Sequence, residues 1–390
     1  MCEKTPLFSC YIVRGKMKKI VFLTGTRADF GKLKSLIKIT QNSDHFEVHI
    51  FATGMHMIAM YGKTVNEIYK SGFKNIYEFK NHHKKNHMDR NLAKTITGFS
   101  KYIEEIQPDL IVIHGDRIET LAGAIVGSLN NILVAHIEGG ELSGTIDELI
   151  RHSVSKLSHI HLVANDEAGQ RLVQMGENKA SIFNIGSPDL DVMHSDDLPE
   201  LSFIKDYYNI TYEKYALVIF HSVTTEVELL ANQVKIFVDS LIQSDKNYIV
   251  VFPNNDLGSD IILNEYNRLK NNSKFKIFPS LRFEYFLVLL KNCEFIIGNS
   301  SAGLREAPYY NIPTINIGNR QLGRVKSSNI INIDFNQKDI LTNIEKSSQY
   351  THTNKDVDFG EGNSDKLFLQ LLQDDALWKT PHQKQFLDIL

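Results

Sequence analysis

The stretch HIEGGELSGTIDE, residues 136–148, sets Glu138, Glu141, Asp147 and Glu148 directly behind the apolar run ILVA. A solvated face accounts for many such acidic runs, and part of this one has a structural reading. Thr145-Ile-Asp-Glu148 matches a capping box, with Thr145 as N-cap and Glu148 reaching back from the third helical position. Asp147 suits a helix N-terminus, and Glu138 a polar loop. Asp116, in the HGDRIE stretch behind another apolar run, adds a carboxylate to the same rim. Acids gathered at adjacent strand ends perturb one another, so that one can stay protonated while its neighbour acts as base. Asp116, Glu138 and Asp147 are therefore the candidates for proton transfer.

A second set of residues suits an anion. TGTRADFG follows an apolar run and opens a helix, so its backbone N–H groups and Arg27 can hold a phosphate. It is neither the dinucleotide fingerprint nor a Walker loop. In GNSSAGLRE, Ser300 and Ser301 precede a helix and Glu306 lies near its first turns, within reach of a ribose diol; simple N-capping by serine is the structural alternative. Arg320 in IGNRQ and His221 in FHSVTTE are strand-end groups suited to a pyrophosphate. The aromatics of LRFEYFLVLL are mostly core, although Phe283 at its start is placed to stack on a base. His83 and His87 have the spacing of metal ligands on a helix, but Lys84 and Lys85 between them repel a cation, and no metal site is expected. His152, His159 and His161 lack a matching ligand set and read as structural.

The elements that position these groups alternate between short β-rich runs and segments of helical period, the pattern of parallel sheets covered by helices on both faces. The strands are KKIVFLTG, HFEVHIFAT, LIVIHG, NILVAHI, IHLVAN and SIFNIG, then YALVIFH, NYIVVFP, FKIFP, FIIGN and TINIG. Nearly every one runs into a polar, glycine-bearing loop, and ligands of open α/β sheets bind outside the carboxyl ends of the strands. The Pro-, Asp- and Ser-rich stretch GSPDLDVMHSDDLPEL divides the loops into two sets. The fold class expected is α/β, with two doubly wound Rossmann-like domains, residues 17–190 and 191–365, facing a cleft.

Composition narrows the ligand. A formal net charge of −3 gives no electrostatic footprint for nucleic acid or an anionic membrane, which leaves a small molecule. Cys2, Cys10 and Cys293 form no disulfide or zinc pattern, and a reducing cytoplasm fits. No apolar run reaches the roughly 18 residues of a membrane span. Residues 1–16 make a poor signal peptide, and Met17 before KKIVFLTG resembles a second start, so they read as a disordered extension.

Taken together, TGTRADFGKLKSL, HGDRIETLAGA, HIEGGELSGTIDELIRHSVSKLSHIHLVAN, IGSPDLDVM, FHSVTTE, FPNND and IGNSSAGLREAP resemble the hydrolysing UDP-N-acetylglucosamine 2-epimerases of bacterial sialic acid and capsule synthesis. The non-hydrolysing branch has Pro-Glu after the arginine where this chain has Ala28-Asp29, and lacks the GGELSG form of the second loop. The resemblance implies a glycosyltransferase-B-like fold, with UDP held mainly by the C-terminal domain and the sugar facing the N-terminal one. It places the catalytic carboxylates on Asp116, Glu138 and Asp147 and the active-site histidine on His221. Phosphate and nucleoside positions fall on Arg27, Arg117, Asn254, Ser300, Ser301, Glu306 and Arg320, with Phe283 beside them. Residues 366–390 are assigned as a helical segment returning to the first domain, with HQKQFLDIL as its final helix. The implied reaction turns UDP-N-acetylglucosamine and water into N-acetylmannosamine and UDP through 2-acetamidoglucal, without cofactor, in a cytoplasmic homo-oligomer, dimer or tetramer. A UDP-2,4-diacetamido-trideoxy hexose substrate, a glycosyltransferase and a two-domain sugar receptor are the other readings.

Overall fold

The computed structural model describes residues 17–82, 87–321, 323, 324, 327–347 and 359–388. The expected extension at 1–16 and the His83 half of the discounted histidine pair lie outside them.

Two all-parallel sheets form the frame. The first holds β1 (Lys18–Thr24), β2 (Phe46–Ala52), β3 (Ile76–Glu78), β4 (Leu110–His114), β5 (Leu133–Ile137), β6 (Ile160–Val163) and β7 (Ile182–Asn184), in the order β3-β2-β1-β4-β5-β6-β7. The second holds β8 (Ala216–Ile219), β9 (Tyr248–Val251), β10 (Phe275–Phe278), β11 (Ile296–Gly298), β12 (Thr314–Ile317) and β13 (Ile330–Ile333), in the order β10-β9-β8-β11-β12-β13. Every strand read from the sequence is present. The two it missed, β3 and β13, are edge strands with no buried residue, so neither needs the continuous apolar run that marks a strand covered on both faces.

Strand order reverses between β1 and β4 in one sheet and between β8 and β11 in the other. Crevices open at such switch points, and the loops after these strands are the ones carrying the candidate residues. The helix Arg27–Gln41 leaves the first of them. Thr26 caps it by accepting from the N–H of Asp29, and Phe30, Leu33, Leu36 and Ile37 bury one stripe against the sheet.

The connection GSPDLDVMHSDDLPEL is more ordered than a bare linker: Pro188 starts a helix, Pro188–Met193, whose Leu190 and Met193 join the apolar cluster under the second sheet. Near the end of the chain, the helix Ser364–Gln373 crosses back to the first sheet, where Phe368 packs against Phe22 with ring centroids 6.2 Å apart. Burying a side chain of that size contributes about 1.5–3 kcal/mol.

The described part of HQKQFLDIL is not a helix: His382–Asp388 run in irregular backbone along the first domain. Its groups are committed elsewhere. Lys384 donates to the carbonyls of Ser158, Lys156 and Ser155 at 2.6, 2.9 and 3.1 Å, at the C-terminal end of the helix Ile146–Leu157, and His159 contacts the carbonyl of His382. Phe386 and Leu387 stay largely exposed, so no apolar stripe exists to hold a helix there. Among the described residues, no helix is long and apolar enough to cross a membrane.

Candidate active site

The carboxyl ends of both sheets meet around a cavity of about 250 Å³. Asp116, Glu138, Asp147, Arg27 and Arg117 line it from the first sheet's side; His221, Asn254, Phe283, Ser300, Ser301, Glu306 and Arg320 line it from the second. The residues expected to carry catalysis and UDP binding thus line one cavity.

Each carboxylate is held by a different cation. Asp116, just past β4, pairs with the fully buried Arg151. Glu138, at the end of β5, lies 2.8 Å from Arg305, 3.1 Å from Lys32 and 3.3 Å from the His114 ring. Its φ of 64° is left-handed, a conformation a residue with a side chain adopts only under strain, of order 1–3 kcal/mol. Asp147, in the first turn of the helix Ile146–Leu157, pairs with Arg320 at 2.9 Å.

These settings separate the acids. Burial by itself raises all three. Arg305, Lys32 and His114 overcome it at Glu138 and hold that carboxyl well below the usual range, and Arg151 brings Asp116 below it as well. At Asp147 burial wins over Arg320 and the value rises.

The expected capping box is only half present. The Thr145 hydroxyl accepts from the N–H of Asp147 at 3.4 Å, but Glu148 accepts from Ser143 N–H at 2.7 Å and not from Thr145. The loop turns back toward the helix, which puts the Ser143 amide nearer. The left-handed turn itself falls on Glu138 and Gly140. A Cβ on Gly140 would stand 2.2 Å from the Ala168 carbonyl oxygen.

On the opposite wall His221 is set as a neutral donor. Its Nδ1 accepts from the N–H of Asn254 at 3.0 Å, which leaves the proton on Nε2, and burial beside Arg320 and Arg117 holds its pKa well below the ordinary value. Asn299 fixes the backbone on both sides of that ring, accepting from His221 N–H at 2.7 Å and donating to its carbonyl at 2.9 Å.

Arg27 donates to Ser280 at 2.9 Å, and Arg117 to Asn255 at 2.9 Å, both across the cleft. Ser300 caps a single turn, Ser301–Gly303, by accepting from Ala302 N–H, and a separate four-residue helix, Glu306–Tyr309, follows. The serine loop therefore meets two short turns where one longer helix was expected. Glu306 is buried 3.9 Å from Lys32. Phe283 is also largely buried, packed where a Cβ on Gly31 would meet it at 2.6 Å.

Beside these groups stand residues to which sequence reading gave no role: Lys32 and His114, which also line the cavity, and Glu141, Asp189 and Arg305 around them. Arg305 donates to both oxygens of Glu141, at 2.6 and 2.7 Å, and lies 3.5 Å from Asp189; Lys32 lies 3.3 Å from Asp189. His114 bridges Glu138 to Asp29, 3.0 Å from its Nδ1. Burial works against charging this ring, but Glu138 and Asp29 push it up to about 9. Three of these residues lie near an expected site residue in sequence: Lys32 is five residues beyond Arg27, His114 is two residues before Asp116, and Arg305 is next to Glu306.

A family model described as UDP-N-acetylglucosamine 2-epimerase matches residues 38–373. The chain belongs to the UDP-N-acetylglucosamine 2-epimerase family. Among relatives in this family, the UDP-N-acetylglucosamine 2-epimerase of Neisseria meningitidis serogroup B is 47% identical over 96% of this chain and all of its own length. The UDP-N,N'-diacetylbacillosamine 2-epimerase (hydrolyzing) of Legionella pneumophila is 34% identical over 92% of this chain and 96% of its own. The polysialic acid biosynthesis protein P7 of Escherichia coli is 32% identical over 85% and 86%. Among solved structures, the UDP-GlcNAc 2-epimerase of Methanocaldococcus jannaschii in complex with UDP-GlcNAc and UDP matches with a TM-score of 0.76 at 22% identity, covering 92% of this chain and 99% of that one. The epimerase fold, glycosyltransferase-B-like, is thus common to both.

Proposed function

We propose that this protein is a hydrolysing UDP-N-acetylglucosamine 2-epimerase, converting UDP-N-acetylglucosamine and water to UDP and N-acetylmannosamine. The observation that carries the proposal is the cavity itself: carboxylates Asp116, Glu138 and Asp147 on one wall face a neutral His221 and Arg320 on the other. The identity to the Neisseria relative supports it.

The C2 hydrogen of the sugar is not alpha to a carbonyl and is not acidic in the ground state, so UDP must begin to leave first. His221 offers its Nε2–H, and Arg27 and Arg320 their guanidinium groups, to the departing pyrophosphate, an electrostatic role that needs no covalent intermediate. As the C1–O bond stretches, positive charge spreads over C1 and the ring oxygen and a carboxylate removes the C2 proton, giving 2-acetamidoglucal. Water then adds at C1 while a proton returns to C2 on the opposite face. Proton traffic on two faces calls for more than one acid/base group, and the unequal environments of the three carboxyls meet that demand. Ser300, Ser301 and Glu306 stand on the side where the nucleoside would lie.

A second sugar is favoured by a specific observation: the Legionella relative is a hydrolyzing epimerase named for UDP-N,N'-diacetylbacillosamine. Proton NMR in deuterated water with UDP-N-acetylglucosamine decides the matter. Release of UDP together with N-acetylmannosamine deuterated at C2 is the expected result. Turnover of the diacetamido analogue alone changes the substrate, and sugar transfer to an acceptor without C2 exchange replaces the reading by a glycosyltransferase. We further propose a cytoplasmic homo-oligomer, to be measured by light scattering.

A further inference from the structure

Beside the large cavity lies a second of about 20 Å³, room for one water molecule and none for a sugar. The two share a wall made of Asp116, Arg117 and Asp147. Its far side is Asn91, from the helix Met88–Ile106 of the first domain, with Asn255 and Asp256 from the loop after β9 of the second. A water needs two to four polar partners to be held, and these side chains supply them. The chamber is completed only where the domains meet, as Arg117 donates to Asn255 across the cleft.

Elimination and hydration place opposite demands on a site. Departure of UDP is served by excluding water, and the bound sugar fills the large cavity, yet a water must stand ready at C1 once UDP has gone. A side chamber behind the carboxylates meets both demands. Of the three acids, Glu138 and Asp116 pair with Arg305 and Arg151, neither of which lines either cavity, whereas Asp147, which like Asp116 borders both cavities, pairs with Arg320 on the wall of the larger one. Its upward shift also makes it the strongest proton acceptor of the set.

We propose that this chamber is the hydration-water site of the reaction, holding one water between the domains and delivering it to C1 of the unsaturated sugar, with Asp147 taking its proton. The proposal rests on the hydrolysing-epimerase reading. In the step, the water O–H bond breaks as its oxygen bonds C1 and the proton passes to Asp147. The electron pair of the C1–C2 double bond takes up a proton at C2 from a protonated carboxyl, so the sum is addition of one water to 2-acetamidoglucal.

The test is the partition of products. Asn91→Leu replaces a polar wall by an apolar one, and Met88→Phe, at a half-exposed position bordering the chamber, fills it from outside. UDP release continues in both, while the ratio of 2-acetamidoglucal to N-acetylmannosamine rises by about tenfold or more, the scale of misplacing one reactant. Unchanged ratios with UDP release intact in both variants overturn the proposal. So does a crystal structure of the unaltered protein with UDP in which the chamber is dry; an ordered water contacting Asp147 and Asn91 supports it. Failure of the unaltered protein to release UDP from either sugar overturns the parent reading instead, so the two failures are distinct.

Discussion

Asp147 and Arg320 meet across the cleft at 2.9 Å, and the N–H of Gly144 donates to the Arg320 carbonyl 3.1 Å away. One arginine of the second domain thus holds both the start of the helix Ile146–Leu157 and the loop before it. Arg320 also lowers the Asp147 pKa against the effect of burial. Arg320→Ala is expected to cost about 10²-fold in kcat/KM, the scale of losing one transition-state donor. Without the cation the Asp147 pKa rises further, so the acidic limb of the pH–rate profile moves to higher pH. A limb that stays in place would separate Asp147 ionisation from the rate.

Gly144 sits where the second domain comes closest. A Cβ there would lie 2.4 Å from the Asn319 carbonyl oxygen, and backbone yields poorly. Gly144→Ala should wedge the cleft, lowering kcat/KM by about 10²-fold through misplacement of the two walls. Small-angle scattering should record a larger radius of gyration, and an unchanged radius with full activity would refute the wedge.

Replacing each carboxylate by its amide separates chemistry from binding. Asp116→Asn, Glu138→Gln and Asp147→Asn are each expected to lose about 10²–10⁴-fold in turnover, the usual share of general acid–base catalysis, while calorimetry still detects UDP binding. Normal turnover in Glu138→Gln would remove Glu138 from the mechanism.

His114 makes stability depend on pH in a defined direction. Its folded pKa, about 9, lies above the unfolded value because Glu138 and Asp29 flank the ring, with Lys32 and Arg305 sharing Glu138. The charged ring therefore stabilises the fold fully below the unfolded pKa of roughly 6.5, and the contribution is lost as pH rises through about 9. Its upper bound is about 3 kcal/mol. Thermal unfolding of the unaltered protein and of His114→Asn should converge as pH is raised from 6 to 10. A gap that widens instead would mean the ring is neutral in the fold.

The covered strands were legible because each must be apolar on both faces, and the site because a parallel sheet delivers its loops to one edge. β3 and β13 were not, since an edge strand is under no such demand. The residues that position the acids escaped for another reason. Lys32 lies eight residues past the end of β1 in sequence, and Arg305 approaches Glu138 from the other domain, so only tertiary structure puts those charges together. Glu148 shows the limit of a local motif: its spacing fits a capping box, but the nearest free amide was that of Ser143. The last residues were read as a helix by resemblance, although their exposed Phe386 and Leu387 leave nothing to hold one.

That C-terminal return has a consequence for the order in which the protein is made. Phe368, Leu372 and Leu377 complete the apolar cluster over β1, and Trp378 stacks on Phe46 of β2. Lys384 then closes the far end of the helix that carries Asp147. The domain that leaves the ribosome first is the one finished last: its sheet stays unsealed while the whole second domain is synthesised. A message broken before the codon for Phe368 yields a chain with every side chain of the candidate site and an incomplete first domain.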